Sequence, residues 1–315
     1  MATHSETMSE APTPFRRKII RAVTSCFVKP YKRPRPATKK VAIIIPMSTR
    51  PDLTEEEEIS KRQLLHFLGG YDKFLLVPEG LRFDFEGFQH IEFPNRFFGS
   101  AANHGKLLGT RAFYRAFLDY EFVFFYHFDS LVFSDQLADW CERDIDYIGP
   151  PWIKCEDSPW VDRPRVGNGG FTLLRVDAAL KALTARYMER PSSYWFDLFT
   201  AYAPPWLVKV LERNEWFWPA KRLMQEWREV HNPNAHNRNN DMFWSDFAKL
   251  FDPDFKVASL EDGLRFAFEV SPKTCLEMNG GRMPFGCHAW GRYDRAFWEP
   301  HLVREDTDIV RKQAS

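Results

Sequence analysis

The sequence predicts an α/β fold, a Rossmann-type mixed and mainly parallel central sheet flanked by helices in a single domain. Three observations carry the prediction. Val41–Pro46 (VAIIIP) is a continuous apolar, β-branched run of the kind that fills a strand covered on both faces. Phe122–Phe128 (FVFFYHF) is a second run, marked as a buried strand by its aromatic density. Around them the apolar spacing changes several times between the helical period of 3.6 and the strand period of 2, and successive β-α-β steps give parallel strands with right-handed crossovers.

The elements follow in order. Val41–Pro46 is the first strand. A helix spans Glu55–Phe67, because its acidic first turn suits the helix dipole and Gly69-Gly70 ends it after Leu64, Leu65 and Leu68. Phe74–Val77 is the second strand, closed by Pro78, and Ile91–Phe93 is a candidate third. Lys106–Leu118 is the next helix and Phe122–Phe128 the strand after it. Beyond Tyr147 the pattern loosens into a Pro- and Trp-rich stretch (IGPPWIKCEDSPW). A glycine turn at Gly167–Gly170 then leads into a strand, Phe171–Val176, and a helix, Asp177–Tyr187. Residues 191–235 hold several Trp and Pro with poor periodicity and read as an aromatic insertion or acceptor-facing region.

Composition narrows the class. The 315 residues are 44% hydrophobic and 16% aromatic, enough for a sizeable core and unlike a disordered or collagen-like chain. The 43 basic and 43 acidic side chains balance overall but not locally. Residues 1–40 hold ten basic and two acidic side chains, leaving 33 basic and 41 acidic from Val41 onward, so the body is mildly acidic. Such a body lacks the basic face that a nucleic-acid partner requires. The organisation expected is a basic arm over 1–40, a body over 41–300 and a tail over 301–315.

Within the arm, Phe15, Ile19, Ile20, Val23 and Phe27 fall near helical spacing beside Arg16, Arg17, Lys18 and Arg21. Residues 15–40 therefore suit an anionic membrane surface, and equally a disordered arm, since Pro30, Pro34 and Pro36 stop the pattern after little more than three turns. No apolar run reaches membrane-spanning length, and Met1–Glu10 lacks the form of a secretory signal. Five cysteines without CxxC spacing indicate neither a disulfide framework nor a thiolate zinc site. A reducing cytoplasm fits, with the cytoplasmic membrane face as the one alternative.

Four places can carry chemistry. Asp129 is the first acid after the apolar strand, where open parallel sheets place ligands; it either holds a divalent cation or caps the following turn. Val166–Phe171 (VGNGGF) lets backbone approach a ligand closely, and is neither a phosphate loop nor a dinucleotide fingerprint. Asp241, in NNDMFW, is either an N-cap or a general base beside an acceptor hydroxyl. His288, in PFGCHAW, is either a structural histidine or part of a manganese or magnesium shell completed by water and diphosphate oxygens. Trp152, Trp160, Trp244 and Trp290 are candidates for stacking on sugar rings.

In this order the motifs resemble a family of unknown function regarded as glycosyltransferase-like, with the GT-A nucleotide-sugar fold. The likeness spans about Val41–Trp298 and rests on VAIIIP, FYRAFLDYEFVFFYHFDSLVFSDQLADWC, DYIGPPW, VGNGGFTLLRV, NNDMFWSDFA, FEVSPKTCLEMN and PFGCHAWGRYDRAFW among other strings. It implies that Asp129 and His288 hold a divalent cation, Mn2+ or Mg2+, on the diphosphate of a sugar donor. It implies that Asp241 is the base of an inverting transfer. Asn168, Gly169, Gly170 and Phe171 would line the donor, with Pro46, Thr49, Glu79 and Lys106 around the nucleotide. Trp244 and Trp290 would face a glycan or glycolipid acceptor.

Two departures stand out. The acidic motif reads His127-Phe128-Asp129, without a first Asp, and Asn240-Asp241 replaces a Glu-Asp pair. They leave open a non-catalytic saccharide-binding or scaffold protein on a degenerate fold. A nucleotidyltransferase is disfavoured, since Met47-Ser48-Thr49-Arg50 is poor in glycine.

Overall fold

The strongest apolar run of the sequence lies inside the sheet. A computed structural model describes residues 31–47, 50, 52–189, 206, 210 and 240–303. In it β1 (Lys39–Pro46) sets Ala42, Ile43, Ile44 and Ile45 fully out of solvent. Each such isoleucine contributes about 1.5–3 kcal/mol of burial free energy. β1 pairs in parallel with β2 (Asp72–Pro78) on one side, and β2 pairs in parallel with β3 (Phe88–Phe93). On its other side β1 pairs in parallel with β4 (Tyr120–Tyr126), Ile44 opposite Phe125.

Three short strands come next in the chain: β5 (Leu131–Val132), β6 (Tyr147–Ile148), and β7 (Pro151–Trp152), which forms a two-stranded ribbon with β8 (Arg165–Val166). β9 (Phe171–Arg175) then returns antiparallel to β4, and β6 pairs antiparallel to β9. The order β3-β2-β1-β4-β9-β6 is a mixed α/β sheet with a parallel core, as the apolar runs predict.

Local sequence explains the helices around it. Glu55–Leu68 begins with a capping box, in which Thr54 Oγ1 accepts from Glu57 N–H (3.3 Å) and Glu57 Oε2 from Thr54 N–H (2.7 Å). The helix expected over Lys106–Leu118 is in fact two, Ala101–Leu108 and Arg111–Arg115. Gly109 ends the first, and Thr110 starts the second by accepting from Phe113 N–H (3.2 Å). A hydroxyl that satisfies a free N–H favours a new start over a continued turn.

A second sheet is built from residues far apart in the chain. β10 (Ala267–Phe268) runs parallel to β11 (Gly286–Cys287), which pairs antiparallel with β5, Cys287 opposite Leu131. Trp290 and Trp298 are fully buried in the hydrophobic cluster beside it, and Trp290 Nε1 donates to Ser60 Oγ (3.2 Å).

The chain divides into two compact units, one of residues 33–180 and 239–315, the other of 1–32 and 181–238. Both sheets belong to the first. The arm over 1–30, most of the aromatic stretch 191–235, Thr49 and residues 304–315 lie outside the described residues. Cys141, Cys155, Cys275 and Cys287 are free thiols. Among the described residues no helix is long and apolar enough to cross a membrane.

Candidate active site

The small sheet brings three distant polar side chains together. Glu269 directly follows β10 and His288 directly follows β11, so the parallel pairing sets them side by side. Asp129 sits in the turn before the antiparallel β5, at the same end. His288 Nε2 lies 3.3 Å from Asp129 Oδ1, and its Nδ1 lies 2.9 Å from Glu269 Oε1. Ala289 takes a left-handed backbone (φ 53°), and the turn lets Trp290 N–H donate to the Asp129 carbonyl at 3.0 Å. A left-handed non-glycine residue is a local strain that the surrounding pairings must hold.

Burial opposes charge on His288, yet the two flanking carboxylates override it and push its pKa up to about 10. Burial likewise works against the ionised Asp129, but the adjacent imidazolium holds this half-exposed carboxyl well below the usual range. His127 stands next to the pair, its ring 5.6 Å from that of His288. Burial lowers its pKa to about 3, which keeps it neutral. His127, Asp129 and His288 each offer a ligand atom, all within 4.8 Å of one another. Two imidazoles and a carboxylate are a chemically suitable donor set for a divalent cation.

The glycine turn makes room for this cluster. His127 N–H donates to the Gly170 carbonyl (3.0 Å), so the turn runs directly beside the end of β4. A Cβ on Gly170 would stand 2.0 Å from His288 Nε2; only a residue without a side chain lets the imidazole lie there. Asn168 Oδ1 accepts from Gly170 N–H (2.8 Å) and its Nδ2 donates to Glu269 Oε1 (2.7 Å). Asn168, Glu269, His288 and Asp129 therefore form one chain of polar contacts.

Asn168 and His288 of this chain line a cavity of about 710 Å³, a size typical of small-molecule sites, whereas Asp129 and Glu269 are not part of its wall. His104, His127, Asn168, Asp241, His288 and Arg292 contribute its polar wall. Asp241 lies in the helical turn Asn240–Met242 rather than before it, and its Oδ1 accepts from Met242 N–H (2.7 Å). A π-helical turn follows at Phe243–Phe247, a deviation that often marks a functional position. Burial raises the Asp241 pKa to about 6; the Met242 N–H opposes this and the charge of Glu269 adds to it. His104 is kept neutral by burial, with a pKa near about 4, and its buried Nε2 has no hydrogen-bond partner. An orphaned polar atom on a cavity wall is a place for a ligand's own polar group.

Residues 87–288, more than half of the chain, match a family described as protein of unknown function, DUF5672. The chain belongs to that family. The matched stretch of this DUF5672 protein contains His104, His127, Asp129, Asn168, Asp241, Glu269 and His288. No protein of curated function matches the sequence. Among solved structures, the chain is similar to the apo-form glycosyltransferase GlyE of Streptococcus pneumoniae TIGR4, with TM-score 0.42 and 13% identity over 87% of this chain and 63% of that one. It is similar to a glycosyltransferase involved in glycosylation of the major capsid of PBCV-1, with TM-score 0.40 and 12% identity over 83% and 98% of the two chains. It is also similar to the galactosyltransferase LgtC, solved in complex with donor and acceptor sugar analogs, with TM-score 0.41 and 14% identity over 84% and 98%. The DUF5672 chain thus spans 63% of the length of the pneumococcal protein.

Of the residues singled out from the sequence, Asp129 and His288 meet, and Pro46, Asn168, Gly169, Gly170, Asp241 and Trp244 line the cavity with His288. Others in the DUF5672 chain stand elsewhere. Phe171 is fully buried in the aromatic core between Phe124 and Phe266, and Trp290 is fully buried beneath Ser60. Neither reaches the cavity wall, because alternation along β9 and the apolar cluster draw them inward. Glu79 and Lys106 are exposed outside it, Lys106 Nζ donating to Asn103 Oδ1 (3.1 Å). Sequence reasoning missed His104, Glu269 and Arg292 and saw His127 only as a departure. Glu269 did leave a signal, an acid inside the apolar stretch Ala267-Phe268-Glu269-Val270, where an ionisable group needs a buried partner.

Proposed function

We propose that this protein transfers a sugar from a nucleotide-diphosphate donor to a hydroxyl of a saccharide or glycoconjugate, with inversion and with a divalent cation, Mn2+ or Mg2+. The observation that supports this is a cation-competent His/Asp cluster, whose two histidines line one cavity together with a separate carboxylate of raised pKa, Asp241. The motif order of the sequence points the same way. Asp129 and His288 would hold the cation, which would neutralise the charge that develops on the departing diphosphate. Arg292, on the same wall, adds positive charge for that group. Asp241 takes the proton of the incoming hydroxyl, a role suited to a carboxyl that titrates near pH 6 rather than 4. A single displacement inverts the anomeric centre.

A thermal-shift screen of nucleotide sugars with and without Mn2+ tests the donor half of the reading. Asp129→Ala should remove the metal-dependent part of donor stabilisation, while His104→Ala should weaken donor stabilisation with or without metal. Product mass and anomeric coupling in NMR test the transfer half. Donor binding without release of nucleoside diphosphate would favour a saccharide-binding protein instead.

The basic residues of 15–40 favour a lipid-linked acceptor at the cytoplasmic membrane face. Deleting residues 1–30 should release the protein from anionic vesicles yet leave transfer to a water-soluble acceptor intact. Equal vesicle binding by the shortened chain would remove this acceptor class.

A further inference from the structure

We infer that Thr172 and Tyr147 are positioning residues for Asp241, their hydroxyls locking the glycine turn so that the Gly169 N–H faces the Asp241 carboxylate. The inference deepens the function proposed above and rests on its use of Asp241 as the proton acceptor. It assigns the groups that hold that acceptor in place.

The backbone hydrogen bonds of the turn carry it. Gly167 N–H and Asn168 N–H both donate to the Pro150 carbonyl (3.2 and 3.1 Å), and Gly170 N–H donates to Asn168 Oδ1 (2.8 Å). The fourth N–H of the turn, that of Gly169, uses neither of these acceptors. A Cβ on Gly169 would stand 3.2 Å from Asp241 Cβ and 3.8 Å from its Oδ2, so the Asp241 side chain lies directly against this residue. The N–H groups of Met242 and Gly169 both favour its charged form.

The other side of the same peptide shows what aims that N–H. Thr172 Oγ1 donates to the Asn168 carbonyl at 2.6 Å. Tyr147 Oη donates to the Gly167 carbonyl and lies 3.5 Å from that of Asn168. No peptide among the described residues is cis, and in a trans peptide C=O and N–H point in opposite directions. Holding the Asn168 carbonyl towards β9 and β6 therefore turns the Gly169 N–H away from those strands and onto Asp241. Thr172 and Tyr147 are both buried, so water does not compete for the two bonds.

The seat around the carbonyl is closed. A Cβ on Gly149 would stand 2.2 Å from the Asn168 carbonyl oxygen and 2.8 Å from Thr172 Oγ1, so only glycine leaves room for their bond. The glycines of the turn, in contrast, offer little resistance of their own, because glycine adopts the positive φ that a peptide flip needs. A flipped peptide would set the Asn168 carbonyl oxygen against the carboxylate. The two hydroxyls are what prevents this.

The full chain, labelled with ¹³C in its aspartate carboxyl groups and kept free of metal and sugar nucleotide, tests the inference by NMR titration. The Asp241 signal is the one missing from Asp241→Asn. Three titratable groups act on it from the neighbouring strands: Glu269 after β10 raises its pKa, His288 after β11 lowers it, and Tyr147 on β6 is kept neutral by burial. Thr172→Val alters none of them. It keeps the shape of the side chain and removes the donor, and should raise the Asp241 midpoint from about 6 by about one pH unit or more, the loss of one hydrogen bond to a charged group. Thr172→Ser restores the hydroxyl and should restore the midpoint. An unchanged midpoint in a folded Thr172→Val protein would overturn the inference, and so would an equal shift in Thr172→Ser, which would trace the effect to packing. Should Thr172→Val not fold, Tyr147→Phe decides in the same way, with an upward shift expected and an unchanged midpoint overturning the inference. None of these readouts needs a substrate. The expected shifts in a protein that turns over no donor would therefore sink the transferase reading alone, and turnover with an unmoved midpoint would sink the inference alone.

Discussion

Asp241→Asn is expected to stop sugar transfer while making the protein more resistant to unfolding above about pH 6. The loss of rate follows from removal of the proton acceptor, about 10²–10⁴-fold for a positioned general base. The gain in stability follows from the sign of the shift. Burial raises the Asp241 pKa from 3.8 to about 6, so the folded state favours the protonated carboxyl. That contribution is intact below about pH 4 and is lost as pH rises through about 6, where the buried carboxylate ionises. At pH 8 the ionised form costs the fold about 3 kcal/mol, at 1.36 kcal/mol per unit of pKa. Asparagine keeps an oxygen for the Met242 N–H and never ionises. Its melting temperature should therefore exceed that of the unmodified protein at pH 8 and match it near pH 4. In the unmodified protein, transfer should rise with pH through about 6. A variant that transfers sugar at the original rate, or melts no higher at pH 8, would remove Asp241 from its assigned place.

The second large effect is expected from Gly170→Ala. The added methyl would fall 2.0–2.5 Å from three atoms of the His288 ring, too close to coexist with it. Either the turn between Val166 and Phe171 moves, breaking the Asn168 and His127 hydrogen bonds, or His288 leaves Asp129. Overpacking of this kind costs about 1–3 kcal/mol, and here it also dismantles the cation site. Thermal melting should show the first loss and titration with Mn2+ the second. Gly169→Ala is the control, since its methyl would approach Asp241 Cβ only to 3.2 Å, which a small shift relieves. Equal Mn2+ affinity in Gly170→Ala and the unmodified protein would contradict the packing described.

Much of the large sheet is legible in the sequence because its strands are long and apolar. β1 and β4 each carry enough β-branched or aromatic residues to be recognised singly. The break at Gly109-Thr110 was also present in the sequence, but a helical period across Lys106–Leu118 concealed it. The small sheet is different. β5, β10 and β11 have two residues each, too few for any period to register, yet they decide which polar groups meet. Asp129 and His288 could be joined only through the order of motifs along the chain. Glu269 escaped because no element was read over Ala267–Val270, where β10 is only two residues long. Trp290 was read as a sugar platform because a tryptophan's chemistry is visible in sequence and its burial is not.

The position of β11 between β5 and β10 has a consequence for synthesis of the chain. Its two residues are among the last of the body to leave the ribosome, more than 150 positions after Leu131. Without Gly286 and Cys287, β5 and β10 would each leave a strand edge unpaired, and His288 would be missing from the polar cluster. A chain stopped before Gly286 keeps those edges open to neighbouring molecules, and aggregation is the expected fate of such fragments.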